Sequence, residues 1–172
     1  MEFLRIQSGS ASAIDTHETG YFRKIWKSLD IGAGVVVDPF ARNCSISDTW
    51  SNDIDPSTSA NYHMDAIEFM KIVPTQSAWL VIFDPPFSQR QEKKYEGGLQ
   101  NVYSTPGYIA DIMTDVCRVL KPGGYLLKFG YNSTRHHPML ELQKGWICNM
   151  SGNRNDVIVT LWKKCTITLD NF

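Results

Sequence analysis

The sequence predicts a doubly wound α/β fold, a mostly parallel sheet that closes in an antiparallel hairpin. Three observations lead there. Trp79, Leu80, Val81, Ile82 and Phe83 form an unbroken apolar run, the pattern of a central strand buried on both faces. Short segments of this kind alternate with segments of helical periodicity, as right-handed strand–helix–strand crossovers require. Late in the chain, residues 146–150 and 156–163 read as strands joined by the turn-forming residues 151–155.

The elements follow in order. Residues 1–18 are small and polar and read as an irregular leader. Phe22, Ile25, Trp26 and Leu29 recur at helical spacing after Thr19 and Gly20, and the loop before this helix is a candidate to touch a cofactor. Gly32 and Gly34 break the helix ahead of a β-branched strand, Val35, Val36 and Val37, which ends on Asp38. A turn over Pro39, Phe40, Ala41, Arg42 and Asn43 leads to a second strand end with Asn52, Asp53 and Asp55. Asp65 precedes Ala66, Ile67, Phe69 and Met70, a short helix with a carboxylate at its N-terminus, and Pro74 ends it.

After the strand over residues 79–84 comes a long polar connection, residues 88–106. Ile109, Ile112, Met113, Val116, Val119 and Leu120 then make a helical stripe, which Lys121, Pro122, Gly123 and Gly124 terminate. Residues 125–131 are a further strand, followed by a polar turn at 132–138, a short helix within 139–144, the hairpin, and a tail at 165–172. The expected order is α, then β-α-β-α-β-α-β-α, then the hairpin.

Composition bounds the function. A chain of 172 residues with 42% hydrophobic content suits one domain, residues 1–172, with a sizeable core. A net charge of −1 and a pI near 6.4 give no global attraction to nucleic acid, so any basic face is local. No run reaches transmembrane length, and Met1, Glu2, Phe3, Leu4 and Arg5 lack a signal peptide's apolar core. A cytoplasmic protein with no membrane partner is expected. Cys44, Cys117, Cys148 and Cys165 are scattered without a C-x-x-C pair, which reads as reduced, mostly buried thiols and no metal site.

The chemistry concentrates where strands end. Asp38, Asp53 or Asp55, Asp65 and Asp84 stand at successive element ends, and in a doubly wound sheet the first three fall along one crevice. Acceptors there suit a nucleoside, one taking a ribose diol and another an exocyclic amine. Asp84-Pro85-Pro86-Phe87 is more specific. Two prolines end the ladder and freeze the direction of the Pro85 carbonyl. For methyl transfer to an aromatic amine, the Asp84 carboxylate and that carbonyl would accept its protons and favour a nucleophilic, sp3-like nitrogen. Phe87 offers a flat face for a base. Arg90, Lys93 and Lys94 with Tyr95 and Tyr103 suit phosphate contact and stacking, as do Asn132 and Arg135 in the turn near the active edge.

These motifs resemble the S-adenosylmethionine-dependent methyltransferases that act on adenine in DNA. The signature D-P-P-[YFW] of that family stands here as Asp84-Pro85-Pro86-Phe87, and Asp38-Pro39-Phe40 is similar to its cofactor motif D-P-F-x-G-x-G. The likeness extends to Asp53 and Asp55, to His63-Met64-Asp65-Ala66 and to Lys121-Pro122-Gly123-Gly124, spanning residues 33–163, with small phage-borne enzymes nearest. It implies a Rossmann-like class I methyltransferase sheet and S-adenosylmethionine as cofactor. It also implies that Asp38, Phe40 and Ala41 border the methionine end, that Asp53 or Asp55 holds the ribose, and that Asp65 with the Ala66 backbone addresses the adenine. Asp84, Pro85, Pro86 and Phe87 would hold the target base, and an aspartate at their head favours adenine over cytosine.

The chain departs from the pattern twice. The turn that the resemblance assigns to the cofactor has no glycine, and Arg42 there is expected to pair with the methionine carboxylate instead; no separate target-recognition domain is expected. Residues 88–106, the leader and the turn at 132–138 would read the target, with a homodimer or a single-stranded preference compensating for the small surface. The expected partner is DNA in a bacterial or phage-infected cell. The alternatives are the same chemistry on RNA, a protein amide or a small molecule, and a catalytically silent module that binds cofactor or nucleic acid.

Overall fold

The computed structural model describes residues 3–8, 15–30, 32–44, 46, 47, 49–87, 102, 105–134, 137–150 and 155–166. Among these, one sheet holds β1 Phe3–Ser8, β2 Val36–Asp38, β3 Thr49–Ser51, β4 Ala78–Phe83, β5 Leu120–Gly130, β6 Leu140–Met150 and β7 Val157–Lys164. Three helices, α1 Gly20–Ser28, α2 Ala66–Ile72 and α3 Tyr108–Val119, and a 3₁₀ turn at Thr16–Glu18 accompany it. The strand order is β1-β6-β7-β5-β4-β2-β3. Every pairing is parallel except those of β7, which runs antiparallel between β5 and β6.

The sheet is covered on both faces, which is why its central strands read as continuous apolar runs. Val36, Leu80, Ile82, Leu127 and Phe129 pack with Tyr21, Phe22 and Ile25 of α1. Their neighbours in sequence, Val37, Val81, Phe83 and Leu126, pack with Phe69 and Met70 of α2 and Ile112, Met113 and Val116 of α3. Thr19 starts α1 by accepting the Phe22 N–H at 3.2 Å, and Asp65 starts α2 by accepting the Ile67 N–H at 2.8 Å. From β2 the chain passes outward to β3 and then returns to the other side of β2 as β4. That reversal is the switch point at which open α/β sheets bind ligands, and it lies between Asp38 and Asp84.

The predicted fold class, three of the expected helices and the closing antiparallel pair are present. Several element assignments are corrected. Residues 3–8 of the expected leader form β1, an edge strand parallel to β6, and residues 16–18 form the 3₁₀ turn. No helix separates β2 from β3 among the described residues. The helix expected within 139–144 is the start of β6, whose pairing with β7 begins at Leu140. Lys121 to Gly124 lie inside β5 rather than before it. The hairpin tip at 151–154 and most of the tail lie outside the described residues.

Arg118 joins the two helices of one face. Its guanidinium donates to the Met70 carbonyl at 2.6 Å and the Val73 carbonyl at 2.9 Å, at the end of α2, and to Asp115 at 2.7 Å on its own helix. A cation on the last carbonyls of a helix also opposes its dipole. Replacing Arg118 with Met is expected to lower the unfolding free energy by about 1–3 kcal/mol, measured by urea denaturation with an unchanged m-value.

Candidate functional site

The parallel strands β2, β3, β4 and β5 end on one edge of the sheet, and their ends carry the polar residues. Asn52, one residue past β3, is fully buried and ties three loops together. Its amide donates to the carbonyls of Pro39 at 3.2 Å and Met64 at 3.0 Å, and its side-chain oxygen accepts the Met64 N–H at 3.1 Å. Its backbone bonds Asp38 and Ala41, both at 2.8 Å. The turn over Pro39, Phe40 and Ala41 thus hangs on Asn52.

Asp38 is fully buried. Its Oδ1 accepts the Phe40 N–H at 3.0 Å, and its Oδ2 faces Nε2 of buried His17 at 3.1 Å. The second contact is an ion pair with imperfect hydrogen-bond alignment. Burial pulls the His17 imidazole down, but hydrogen bonding and charge from Asp38 and Cys44 outweigh it and raise the group to about 10.

Arg42 resolves the missing glycine. It sits at φ 46°, in the left-handed region where a glycine costs least. Two contacts hold it there. Its backbone N–H donates to Asp53 Oδ2 at 3.0 Å, and its guanidinium pairs with Asp15 Oδ1 at 2.9 Å. Asn43 donates to the other oxygen of Asp15 at 3.2 Å. The guanidinium expected to meet a cofactor carboxylate is thus paired with Asp15.

The structure separates Asp53 from Asp55. Asp53 is buried, which raises its carboxyl above the usual range, and it accepts N–H groups from Arg42 and Asp55. Asp55 is half-buried, and hydrogen bonds from Ser57 lower its carboxyl and close a local turn. Asp65 uses one oxygen to cap α2 and accepts the Tyr108 hydroxyl with the other at 3.1 Å, beside fully buried Ala66.

Asp84 directly follows β4, next to the Asp38 turn. Burial pushes its carboxyl up to about 7; a hydrogen bond from Thr16 opposes this, Asp38 adds to it and His17 subtracts. Pro85 is buried, and Phe87 meets Tyr131 edge-on with ring centroids 5.0 Å apart. Asn132, expected to touch nucleic acid, accepts from Lys128 at 3.0 Å and from the Thr134 N–H at 3.2 Å, which builds its own turn. Arg90, Lys93, Lys94, Tyr95, Tyr103 and Arg135 lie outside the described residues.

Sequence reading missed Asp15, Thr16, His17, Tyr108, Lys128 and Tyr131. The first three sit in what looked like a leader. The buried charge at Lys128, inside an otherwise apolar strand, was the one available signal.

No protein-family model matches the chain, and no curated protein matches it by sequence. Its fold is similar to solved structures. The methyltransferase candidate yhhF of Escherichia coli superposes with a TM-score of 0.58 at 13% identity, covering 87% of each chain. The methylase candidate HI0767 of Haemophilus influenzae gives 0.51 at 15% identity, covering 84% of this chain and 88% of that one. A conserved hypothetical protein of Streptococcus pyogenes gives 0.51 at 12%, covering 84% and 92%. The chain therefore has the Rossmann-like fold of these structures. No helix among the described residues is long and apolar enough to cross a membrane.

The raised carboxyl of Asp84 has a stability consequence. The unfolded value is about 3.8 and the folded one about 7, so ionisation disfavours the fold. The cost is absent below the unfolded value and complete above the folded one. Asp84→Asn is expected to unfold like the wild type near pH 4. By about pH 8 the variant should be the more stable, by on the order of 1 kcal/mol or more, in urea titrations across that range.

Proposed function

We propose that the chain transfers a methyl group from S-adenosylmethionine to the exocyclic N6 amine of adenine in DNA. The observation that carries this reading is the position of Asp84-Pro85-Pro86-Phe87 at the carboxyl end of β4, across the switch point from the Asp38 turn. The fold supports a methyltransferase in general, and the tetrad supports the amine of a nucleobase in particular.

The residues present fit the cofactor. The carboxylates of Asp53 and Asp65 lie on successive loops of one edge, and a carboxylate that accepts one N–H or O–H per oxygen keeps lone pairs for a diol or an amine. Asp53 would hold the ribose, Asp65 and the Ala66 backbone the adenine, and the turn from Asp38 to Ala41 the methionine end. S-adenosylmethionine supplies an electrophilic methyl group on a sulfonium.

The chain's own part is acceptance, orientation and exclusion of water. The Asp84 carboxylate and the Pro85 carbonyl would accept hydrogen bonds from the two amine N–H groups, which localises the nitrogen lone pair, and Asp84 would take the one proton that the methylated nitrogen releases. Phe87 holds the ring plane. Charge that develops on the nitrogen is met by Asp84 in a poorly solvated site, where the interaction is strong. No covalent intermediate is needed, because in-line orientation carries the rate. The base is reached in single-stranded DNA or after flipping from a duplex.

Tritiated methyl transfer onto DNA and RNA, followed by nucleoside analysis, tests the reading. Label is expected on N6-methyldeoxyadenosine. Asp84→Ala is expected to lower kcat by roughly 100-fold or more while leaving S-adenosylhomocysteine binding within about twofold. Label on neither nucleic acid, or label that survives the substitution, sinks it. Because Asp84 must be ionised to accept, kcat/KM is expected to rise with pH through about 7.

A further inference from the structure

One turn beside the tetrad takes no part in the methyl transfer proposed above. The parallel register pairs Ile82 with Leu127 and Phe83 with Lys128, so the residue that follows β5, Tyr131, emerges next to the tetrad that follows β4. Tyr131 is 42% exposed, although its ring meets Phe87 at 5.0 Å and 63°. A tilted aromatic pair of this kind presents one ring face and one ring edge, and a third planar ring can stack on the first while meeting the second.

The turn is built on a buried charge. Lys128 is 5% exposed, at a strand position where an aliphatic residue would serve the core. Its ammonium donates to Asn132 Oδ1 at 3.0 Å, to the Thr134 carbonyl at 3.3 Å and to the Asn132 carbonyl at 3.5 Å. Asn132 Oδ1 also accepts the Thr134 N–H at 3.2 Å. No carboxylate pairs with Lys128 among the described residues. A buried cation satisfied by neutral oxygens is a costly way to fill a strand. What it achieves is a fixed path for residues 131–134, with Tyr131 at its start.

We infer that Phe87 and Tyr131 form a subsite for a planar heteroaromatic ring, the base to be modified, and that Lys128 is the positioning residue that holds Tyr131 at its edge. The inference rests on the methyl-transfer reading and adds a second aromatic wall and its support. Phe87 supplies one surface to the base. Tyr131, anchored from below, limits how far the ring slides along the tetrad and so sets the distance of its amine from Asp84.

The test uses the full chain and two probes, a short oligodeoxyadenylate and an abasic oligomer of equal length and charge. Binding is read by fluorescence anisotropy with and without S-adenosylhomocysteine. The wild type is expected to prefer the adenine probe. Tyr131→Ala should lose roughly 5- to 100-fold in affinity for that probe and none for the abasic one, and Tyr131→Phe should retain the preference. Lys128→Met should lose part of it and raise KM for the oligomer more than it lowers kcat, with S-adenosylhomocysteine affinity unchanged. If Lys128→Met does not fold, the two Tyr131 variants carry the test alone. An equal loss on both probes, no loss on either, or no adenine preference in the wild type overturns the inference. Failure to bind S-adenosylhomocysteine with the adenine preference intact defeats the methyl-transfer reading and leaves the subsite standing.

Discussion

The candidate site depends on one buried amide. Asn52 has no exposed surface, and its side chain makes three hydrogen bonds to backbone groups of two other loops. In an apolar environment each would cost more to leave unmade than it contributes when made, so the loops at the ends of β2 and β3 and the segment before α2 hold together or separate together. Asp38, Asp53 and Asp65 sit on these three segments. Asn52 thus helps to set their mutual spacing, together with the Asp53 N–H that donates to the Tyr62 carbonyl at 3.1 Å, and it fixes the Ala41 N–H through its backbone carbonyl. A crevice whose walls are stapled in this way is organised before a ligand arrives, which reduces what binding must spend on ordering.

The N-terminal segment belongs to the same structure. A non-glycine residue in the left-handed region is strained by roughly 1 kcal/mol, and Arg42 accepts that strain because both ends of it are held. Asp53 fixes its backbone, and Asp15 fixes its side chain together with that of Asn43. Asp15 is in turn positioned by the 3₁₀ turn, whose Thr16 and His17 reach Asp84 and Asp38. What the glycines of similar motifs do with backbone freedom, this chain does with side chains drawn from residues 15–17.

Much of this was legible in the sequence and some was not, for physical reasons. The two-sided burial of β4 shows as an uninterrupted apolar run, and the tetrad shows because two prolines, lacking N–H donors, end a ladder wherever they follow a strand. Asp65 reads as a cap because capping is local. β1 was not legible. Its apolar residues are few, Phe3, Leu4 and Ile6 among Arg5, Gln7 and Ser8, and it is an edge strand whose pairing partner lies more than a hundred residues away. The start of β6 misled for the opposite reason. Leu140 and Leu142 alternate over too few residues to separate period two from a short helical stripe, and only the partner strand decides. Nor does any spacing reveal that Asp15 and Arg42 meet.

The electrostatics of the edge follow from these placements. Two carboxylates, Asp38 and Asp84, end neighbouring strands, and the charge of Asp38 adds to the cost of ionising Asp84. Burial is the largest influence on the Asp84 proton; the Thr16 hydrogen bond opposes it, and His17 contributes against Asp38. A carboxylate elevated mainly by desolvation responds to whatever fills the space beside it. A planar ring bearing an amine both excludes water from Asp84 and brings the donors that favour its charged form. In the function proposed above, the ionised state needed for acceptance would be stabilised by the substrate that needs it, and an empty site would hold its proton more tightly than an occupied one.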